Sequence, residues 1–122
     1  AHTIESIACL RQALTELFPH QRLLLVLGMA ADKKVADIIA TLAPIAHEVI
    51  VTRFSSPRAY DPQHLAALLQ SHGLPVTIIP DPTAALALAR QRATPADLIC
   101  VTGSLLLLGE LKARLQGLPL EF

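Results

Sequence analysis

Residues that suit the binding of an anion follow short apolar runs of the sequence. Lys33 comes after the run at 23–28, Arg58 after the run at 49–52 and Ser104 after the run at 98–102, while His2 stands near the first residue. Cationic side chains together with hydroxyl or backbone N–H donors bind carboxylates and phosphates. If the runs are parallel strands, ligands bind beyond their carboxyl ends, and this pattern predicts an anion site at that edge.

Each of these residues also has a purely structural interpretation. Ser104 suits the N-cap of a helix that follows a strand, and Asp32 suits an N-cap better than a catalytic base. The cations Lys33, Arg53 and Arg58 suit solvated surface positions. Lys33 nevertheless opposes the dipole of the helix that it would begin, which favours a ligand or a partner there. The residues alone leave both interpretations open.

The motifs that the sequence lacks narrow its chemistry. There is no GxxxxGK[ST] phosphate loop, no GxGxxG after a strand and no GxSxG nucleophile elbow. Asp32 alone is too little acid for a phosphorylation receiver site. Cys9 and Cys100 lie in apolar runs without CxxC or Cys/His spacing, so we interpret both as small buried hydrophobic residues. We predict no catalytic group and no metal site, and a structural or surface position for four histidines: His20, His47, His64 and His72.

The apolar runs and the stretches between them predict an α/β fold. Continuous runs at 23–28, 49–52, 76–79 and 98–102 are typical of strands buried on both faces of a parallel sheet. Helical spacing precedes the first run and recurs between the others. Helix starts are predicted at Asp32, at Asp61-Pro62, at Asp81-Pro82 and near Ser104, and helix ends at Gly73 and Gly117. The alternation predicts one three-layer α/β/α, Rossmann-like domain over residues 1–122 with a mostly parallel sheet.

Composition excludes several classes of function. The 122 residues carry ten basic and ten acidic side chains, 52% are hydrophobic and 3% are aromatic. Intrinsic disorder and nucleic-acid binding are therefore disfavoured. No apolar run approaches the roughly 20 residues of a membrane span, and we expect a cytoplasmic protein with no membrane partner. The chain begins with Ala1 and its first helix has no strand before it, so we expect it to be part of a longer protein.

Several segments, most of them at the carboxyl ends of the predicted strands, resemble those of a known family. The matching stretches are AHTIES at 1–6, LGMAADKKV at 27–35, TRFSSPRAYDP at 52–62, IPDPTAALALA at 79–89 and LICVTGSLLLLGE at 98–110. Together they resemble the C-terminal domain of folylpolyglutamate synthase, including the bifunctional dihydrofolate synthase type, within the Mur ligase superfamily.

The resemblance implies an ATP-dependent amide ligase. Such enzymes join the γ-carboxylate of a folate's glutamyl tail to L-glutamate through an acyl phosphate. ATP and Mg²⁺ are held mainly by the family's own N-terminal domain, so no cofactor is expected in residues 1–122. The partners implied are L-glutamate, folate, ATP and that N-terminal domain, and this chain alone is expected to be inactive.

The resemblance also assigns roles to residues. His2, Lys33 and Ser104 match positions that bind glutamate, and His2 also faces the nucleotide cleft. Asp32, Ser56 and Arg58 are expected at that cleft or at the edge between the domains. The sequence departs from the family pattern where an Asp-Gly pair usually precedes Ala1. Two alternatives stay open: a stand-alone Rossmann-like module that binds a small anion or a protein, and the C-terminal domain of another Mur-type amino-acid ligase.

Overall fold

The computed structural model describes residues 22–29, 34–53 and 59–102, and these form four strands, three α-helices and one short 3-10 helix. The elements in chain order are β1 (Leu23–Leu27), α1 (Val35–Leu42), the 3-10 helix Ala43–Ile45, β2 (Glu48–Val51), α2 (Pro62–Gln70), β3 (Val76–Ile78), α3 (Pro82–Arg92) and β4 (Leu98–Thr102). All four predicted strands are present, with bounds that differ by at most one residue.

The four strands form a single parallel sheet in the order β3-β2-β1-β4. Strand β1 lies between β2 and β4, with Leu25 opposite Val49 on one side and Cys100 on the other. All five residues of β1 are fully or almost fully buried, which explains why this strand reads as an uninterrupted apolar run. The predicted α/β fold with a parallel sheet is confirmed.

Two helices begin at Asp-Pro pairs, as predicted. The Asp61 carboxylate accepts a hydrogen bond of 3.0 Å from the backbone N–H of Gln63, and Pro62 is the first residue of α2. The Asp81 carboxylate accepts one of 2.9 Å from the N–H of Ala84 at the start of α3. Each aspartate satisfies a backbone donor that has no partner within the helix, and proline has no N–H to lose at that position.

The predicted N-cap at Asp32 is wrong. Helix α1 begins at Val35, its N-cap position is occupied by Lys34, and the Lys34 side chain forms no capping hydrogen bond. The position of α1 follows from its buried stripe of Val35, Ile38, Ile39 and Leu42. Burial of these four side chains outweighs the roughly 1 kcal/mol that a capping side chain contributes.

Helices cover both faces of the sheet in the part of the chain that the structure describes. Side chains of β1 alternate, so that Leu25 packs with α1 and α2 while Val26 packs with α3. The chain steps from β1 through β2 to β3 in one direction across the sheet and then returns to β4 beyond β1. A constant crossover handedness places the helix of that return step, α3, on the opposite face from α1 and α2.

Several predictions concern residues outside the described ranges: the first and last helices, Gly117, Cys9 and His20. The helix end predicted at Gly73 is confirmed. Gly73 has φ of +79° and its N–H donates to the carbonyl of Gln70 at 2.9 Å, closing the turn after α2. None of the described helices has the length and apolar character required to cross a membrane.

Candidate functional site

The order of the strands places a crevice at the carboxyl ends of β1 and β4. Connections from β1 run along one face of the sheet toward β3, whereas the connection that enters β4 runs along the other face. The direction of the chain thus reverses between these two neighbouring strands. In open α/β sheets, ligands bind at such a switch point, outside the carboxyl ends of the strands.

The end of β1 is fixed in place by hydrogen bonds and burial. The carbonyl of Leu27 accepts the N–H of Thr52 at 2.9 Å, and the carbonyl of Met29 accepts the N–H of Tyr60 at 2.7 Å. Met29 itself is 1% exposed, and its side chain belongs to the core between the sheet and helices α1 and α2. The chain therefore leaves β1 from a rigid position.

The ends of β2 and β3 are joined to each other through Pro80. Its carbonyl accepts hydrogen bonds from the Thr52 hydroxyl at 3.1 Å and from the backbone N–H of Arg53 at 3.2 Å. Thr52 is a buried polar residue that the sequence analysis did not single out. Its hydroxyl finds a partner because Pro80 turns the chain at this point toward α3, and a buried polar atom needs such a partner.

Two cations lie at this edge in the described part of the chain. Lys34 occupies the N-cap position of α1 and Arg53 follows β2; both are exposed, and neither forms an ion pair with another described residue. A lysine at the start of a helix is opposed by the helix dipole. Lys34 and Arg53 are therefore available to pair with an anionic ligand or an acidic surface, while the carboxylates at the same edge, Asp61 and Asp81, are engaged as helix caps.

A shallow groove of about 310 Å³ runs along α2, which begins at this edge. It is lined by Tyr60, His64, Ala67, Leu68 and Ser71. The rings of Tyr60 and His64 meet edge to face, with 6.4 Å between their centroids and 63° between their planes. His64 Nδ1 is 4.0 Å from an exposed carboxylate oxygen of Asp61, so this pair is a solvated surface contact.

The opposite, amino-terminal edge of the sheet holds paired charges. Arg22 donates from Nε and Nη2 to Asp97 Oδ2 at 3.2 and 2.8 Å, and also from Nη2 to the carbonyl of Arg92 at 3.2 Å. The same oxygen of Asp97 accepts the N–H of Thr94 at 2.9 Å. These hydrogen bonds, first that from Arg22 and then that from Thr94, lower the pKa of Asp97 well below its usual range.

A second charged group joins three elements at the same edge. The Arg92 guanidinium, in the last turn of α3, pairs with the carboxylate of Glu48 at the start of β2. It also lies 3.1 Å from the hydroxyl of Thr77 in β3, to which it donates. A cation at a helix C-terminus is favoured by the helix dipole, so Arg92 stabilises the packing of α3 on the sheet.

The cysteine and histidines of the described residues agree with their structural interpretation. Cys100 is a free thiol in β4 that packs against the core, although it is only half buried, and burial raises its pKa to about 11. It carries almost no thiolate at neutral pH and is a poor nucleophile. His47 accepts the N–H of Leu23 at 2.9 Å through Nδ1, and His64 and His72 are exposed. No cluster of three metal-ligating side chains occurs among the described residues.

The six predicted site residues lie outside the ranges that the structure describes: His2, Asp32, Lys33, Ser56, Arg58 and Ser104. The structure does describe the strands that precede five of them. Lys33 follows β1 and Ser104 follows β4, and these two strands are hydrogen-bonded neighbours. The sequence analysis missed Tyr60, whose signal is an aromatic residue immediately before an Asp-Pro helix start.

Comparison with known proteins gives a consistent result. The sequence model of the family described as "Mur ligase, glutamate ligase domain" matches residues 1–105. A dihydrofolate synthase/folylpolyglutamate synthase of Mycobacterium tuberculosis is 39% identical over 66 residues, which are 54% of this chain and 14% of that protein.

Solved structures extend the similarity to almost the whole chain. The folylpolyglutamate synthase of Mycobacterium tuberculosis, solved in complexes with ADP and AMPPCP, matches 98% of this chain with a TM-score of 0.87 and 29% identity. That of Thermotoga maritima matches 96% with a TM-score of 0.81 and 32% identity. This chain spans only 29% and 26% of those two proteins. Because the family model covers far more than half of the sequence, the chain belongs to the glutamate ligase domain family of the Mur ligases.

Proposed function

We propose that this chain forms the domain of an ATP-dependent amide ligase that binds L-glutamate and closes the nucleotide cleft, with the activity of a folylpolyglutamate synthase. The observation that carries the proposal is the match of 98% of the chain, at a TM-score of 0.87, to a folylpolyglutamate synthase solved with nucleotides. The reaction would take place in the cytoplasm. Activity with dihydropteroate as the acceptor would show that the ligase also acts as a dihydrofolate synthase.

The proposed reaction follows from the family resemblance. The γ-carboxylate of a folate's glutamyl tail takes the γ-phosphoryl group of ATP and becomes an acyl phosphate, and ADP leaves. The amine of L-glutamate attacks the acyl carbon, an amide bond forms and inorganic phosphate leaves, while the amine loses a proton. The chain must therefore hold a substrate that carries two carboxylates.

The strand order supports the assignment of Lys33 and Ser104 to that substrate. Both follow strands that flank the switch point, β1 and β4. A lysine ammonium suits one carboxylate, and a hydroxyl with backbone N–H groups suits another oxygen of the same molecule. In the proposal Asp32 orients Lys33, and His2, Ser56 and Arg58 lie at the nucleotide cleft or the edge between domains.

The described residues do not form a binding site for Mg²⁺, and the sequence has no phosphate loop for the nucleotide. The described ranges contain no group of three metal-ligating side chains. The proposal therefore assigns both to a separate N-terminal domain and gives this chain the substrate-binding half of the cleft.

Lys33→Ala and Ser104→Ala test this proposal in the protein encoded by the complete reading frame. Loss of one charge-assisted hydrogen bond corresponds to roughly a tenfold to hundredfold rise in the KM for glutamate. The KM for ATP is expected to change by less than about twofold, because each substitution removes a contact with glutamate and none with ATP. Steady-state release of phosphate, measured with tetrahydrofolate or dihydropteroate as acceptor, gives both constants.

A cation at the opposite edge of the sheet supplies a matched control. Arg90→Ala removes an exposed positive charge in the last turn of α3, away from the carboxyl edge, and should leave the KM for glutamate unchanged. An unaltered glutamate KM in both Lys33→Ala and Ser104→Ala would overturn the assignment. Efficient use of a different amino acid would identify another Mur-type ligase. Folate-dependent ATP turnover by residues 1–122 alone would contradict the division between two domains.

A further inference from the structure

The hydrogen-bond ladder between β1 and its neighbour β2 is interrupted and then resumes. On one side of a parallel strand, carbonyls two residues apart accept from donors two residues apart on the neighbouring strand. The carbonyls of Leu27 and Met29 are such a pair, but their donors are the N–H groups of Thr52 and Tyr60. These two donors are eight residues apart in the sequence, and Tyr60 is the described residue whose N–H continues the ladder along β1.

The chain is extended and strand-like at Ala59 and Tyr60. Ala59 packs with Val26 and Ile50 on the face that α3 covers, whereas Tyr60 packs with the core on the α1 and α2 face. Successive side chains on opposite faces are the property of a strand. Contacts on both faces therefore hold this point of the chain in addition to the hydrogen bond from Tyr60 to Met29.

Tyr60 also fixes the start of α2. It directly precedes the N-cap Asp61, and it shares the core with Leu65, the fourth residue of the helix. This arrangement is that of a hydrophobic staple, which sets the angle at which a chain enters a helix. Its ring lies against that of His64 as well, so Tyr60 contacts α2 through its side chain and the end of β1 through its backbone N–H.

We propose that Tyr60 is a positioning residue for the amino-acid substrate, a proposal that rests on the function proposed above. It acts through Met29, whose carbonyl it holds and from which the chain continues to Lys33. Without the ring, the Met29 carbonyl has a less firmly held donor, and the segment that carries Lys33 starts from a less defined point. A small displacement of a binding group weakens binding even when the group itself is unchanged.

Tyr60→Ala, Tyr60→Phe and Leu68→Ala test the proposal in the protein encoded by the complete reading frame. Leu68 lines the same groove on α2 and packs against the same core, but it is not bonded to β1, so its truncation controls for lost packing. We expect Tyr60→Ala to raise the KM for glutamate about tenfold with kcat changed by less than about twofold. Tyr60→Phe, which keeps the ring, should have the wild-type value, and so should Leu68→Ala.

The outcomes separate this proposal from the function on which it rests. Wild-type protein without glutamate-dependent phosphate release would overturn both. Active wild-type protein with an unchanged glutamate KM in Tyr60→Ala, or with equal increases in Tyr60→Ala and Leu68→Ala, would overturn the positioning role alone. If Tyr60→Ala fails to fold, Tyr60→Leu keeps an apolar staple without the ring, and a glutamate KM equal to that of the wild type in this variant would likewise overturn the role of the ring.

Discussion

The two edges of the parallel sheet differ in whether their charged side chains form ion pairs within the described residues. At the amino-terminal edge, Arg22 is paired with Asp97 and Arg92 with Glu48. At the carboxyl-terminal edge, Lys34 and Arg53 form no ion pair with any described residue, and the strand ends are joined by backbone and hydroxyl hydrogen bonds. The cations of the amino-terminal edge are thus paired with carboxylates, whereas those of the carboxyl-terminal edge are exposed on a backbone held by hydrogen bonds.

This difference separates stability from binding. A carboxylate that accepts three hydrogen bonds within the fold, as Asp97 does, contributes to stability but has little capacity left for a ligand. The carboxyl edge has the opposite property, because its backbone is fixed while its cations face solvent. Such an edge can offer a preformed site without a conformational change at the strands themselves.

The largest effect on stability is expected at the amino edge. Asp97→Asn keeps the shape of the side chain but removes the charge that pairs with Arg22, and a neutral amide oxygen is a weaker acceptor for the three hydrogen bonds. The midpoint of urea unfolding at pH 7 should fall by more than for any other variant proposed in this Discussion. Asp37→Asn, an exposed aspartate in the first turn of α1, is the matched control and should have little effect.

The effect of Asp97→Asn should depend on pH. The folded pKa of Asp97 is lower than that of an unfolded aspartate, about 3.9, so its stabilising contribution is complete above that value. The contribution is lost as the pH falls toward the folded pKa, because protonation then breaks the pair with Arg22. The difference between wild type and Asp97→Asn should be constant from pH 7 to about pH 5 and should shrink below about pH 4. A difference that grows on acidification would contradict the role given to this carboxylate.

An intermediate effect is expected from the cap of α2, which lies at the carboxyl edge. Asp61→Ala removes the acceptor for the Gln63 N–H and should lower the free energy of unfolding by about 1 kcal/mol. Asp61→Asn keeps an oxygen at the same place and should lose only a few tenths of that amount. Equal losses in both variants, measured by urea unfolding, would show that charge and not the cap hydrogen bond is what matters.

The sequence predicted the carboxyl edge better in its backbone than in its side chains. Asp61 and Asp81 were identifiable as caps because the Asp-Pro signal is local, and the strands because burial on both faces requires an unbroken apolar run. The start of α1 was mistaken because its buried stripe, and not an acidic cap, sets the first turn.

The return of the chain at Tyr60 could not be predicted, since its hydrogen bond to Met29 joins residues that are far apart in sequence. The amino-edge pairs have the same origin: Arg22 and Asp97 meet only because β1 and β4 are neighbours. A local pattern predicts what an element is, whereas the partners of a side chain depend on the order of the strands. The candidate ligand residues remain predictions for this reason, with only the neighbouring strands β1 and β4 in support.

The smallest effect is expected at Lys34, and its sign is opposite to that of the others. Lys34 occupies the N-cap position of α1 without a side-chain hydrogen bond, so Lys34→Ser supplies an acceptor and removes a charge that the helix dipole opposes. The free energy of unfolding should rise by about 0.5 kcal/mol in urea titrations. Lys34→Gln, which removes the charge without adding a short capping group, should gain less. A destabilised Lys34→Ser variant would indicate that the lysine has a structural partner, and the contrast between an internally satisfied edge and an edge left open for a ligand would then fail at this position.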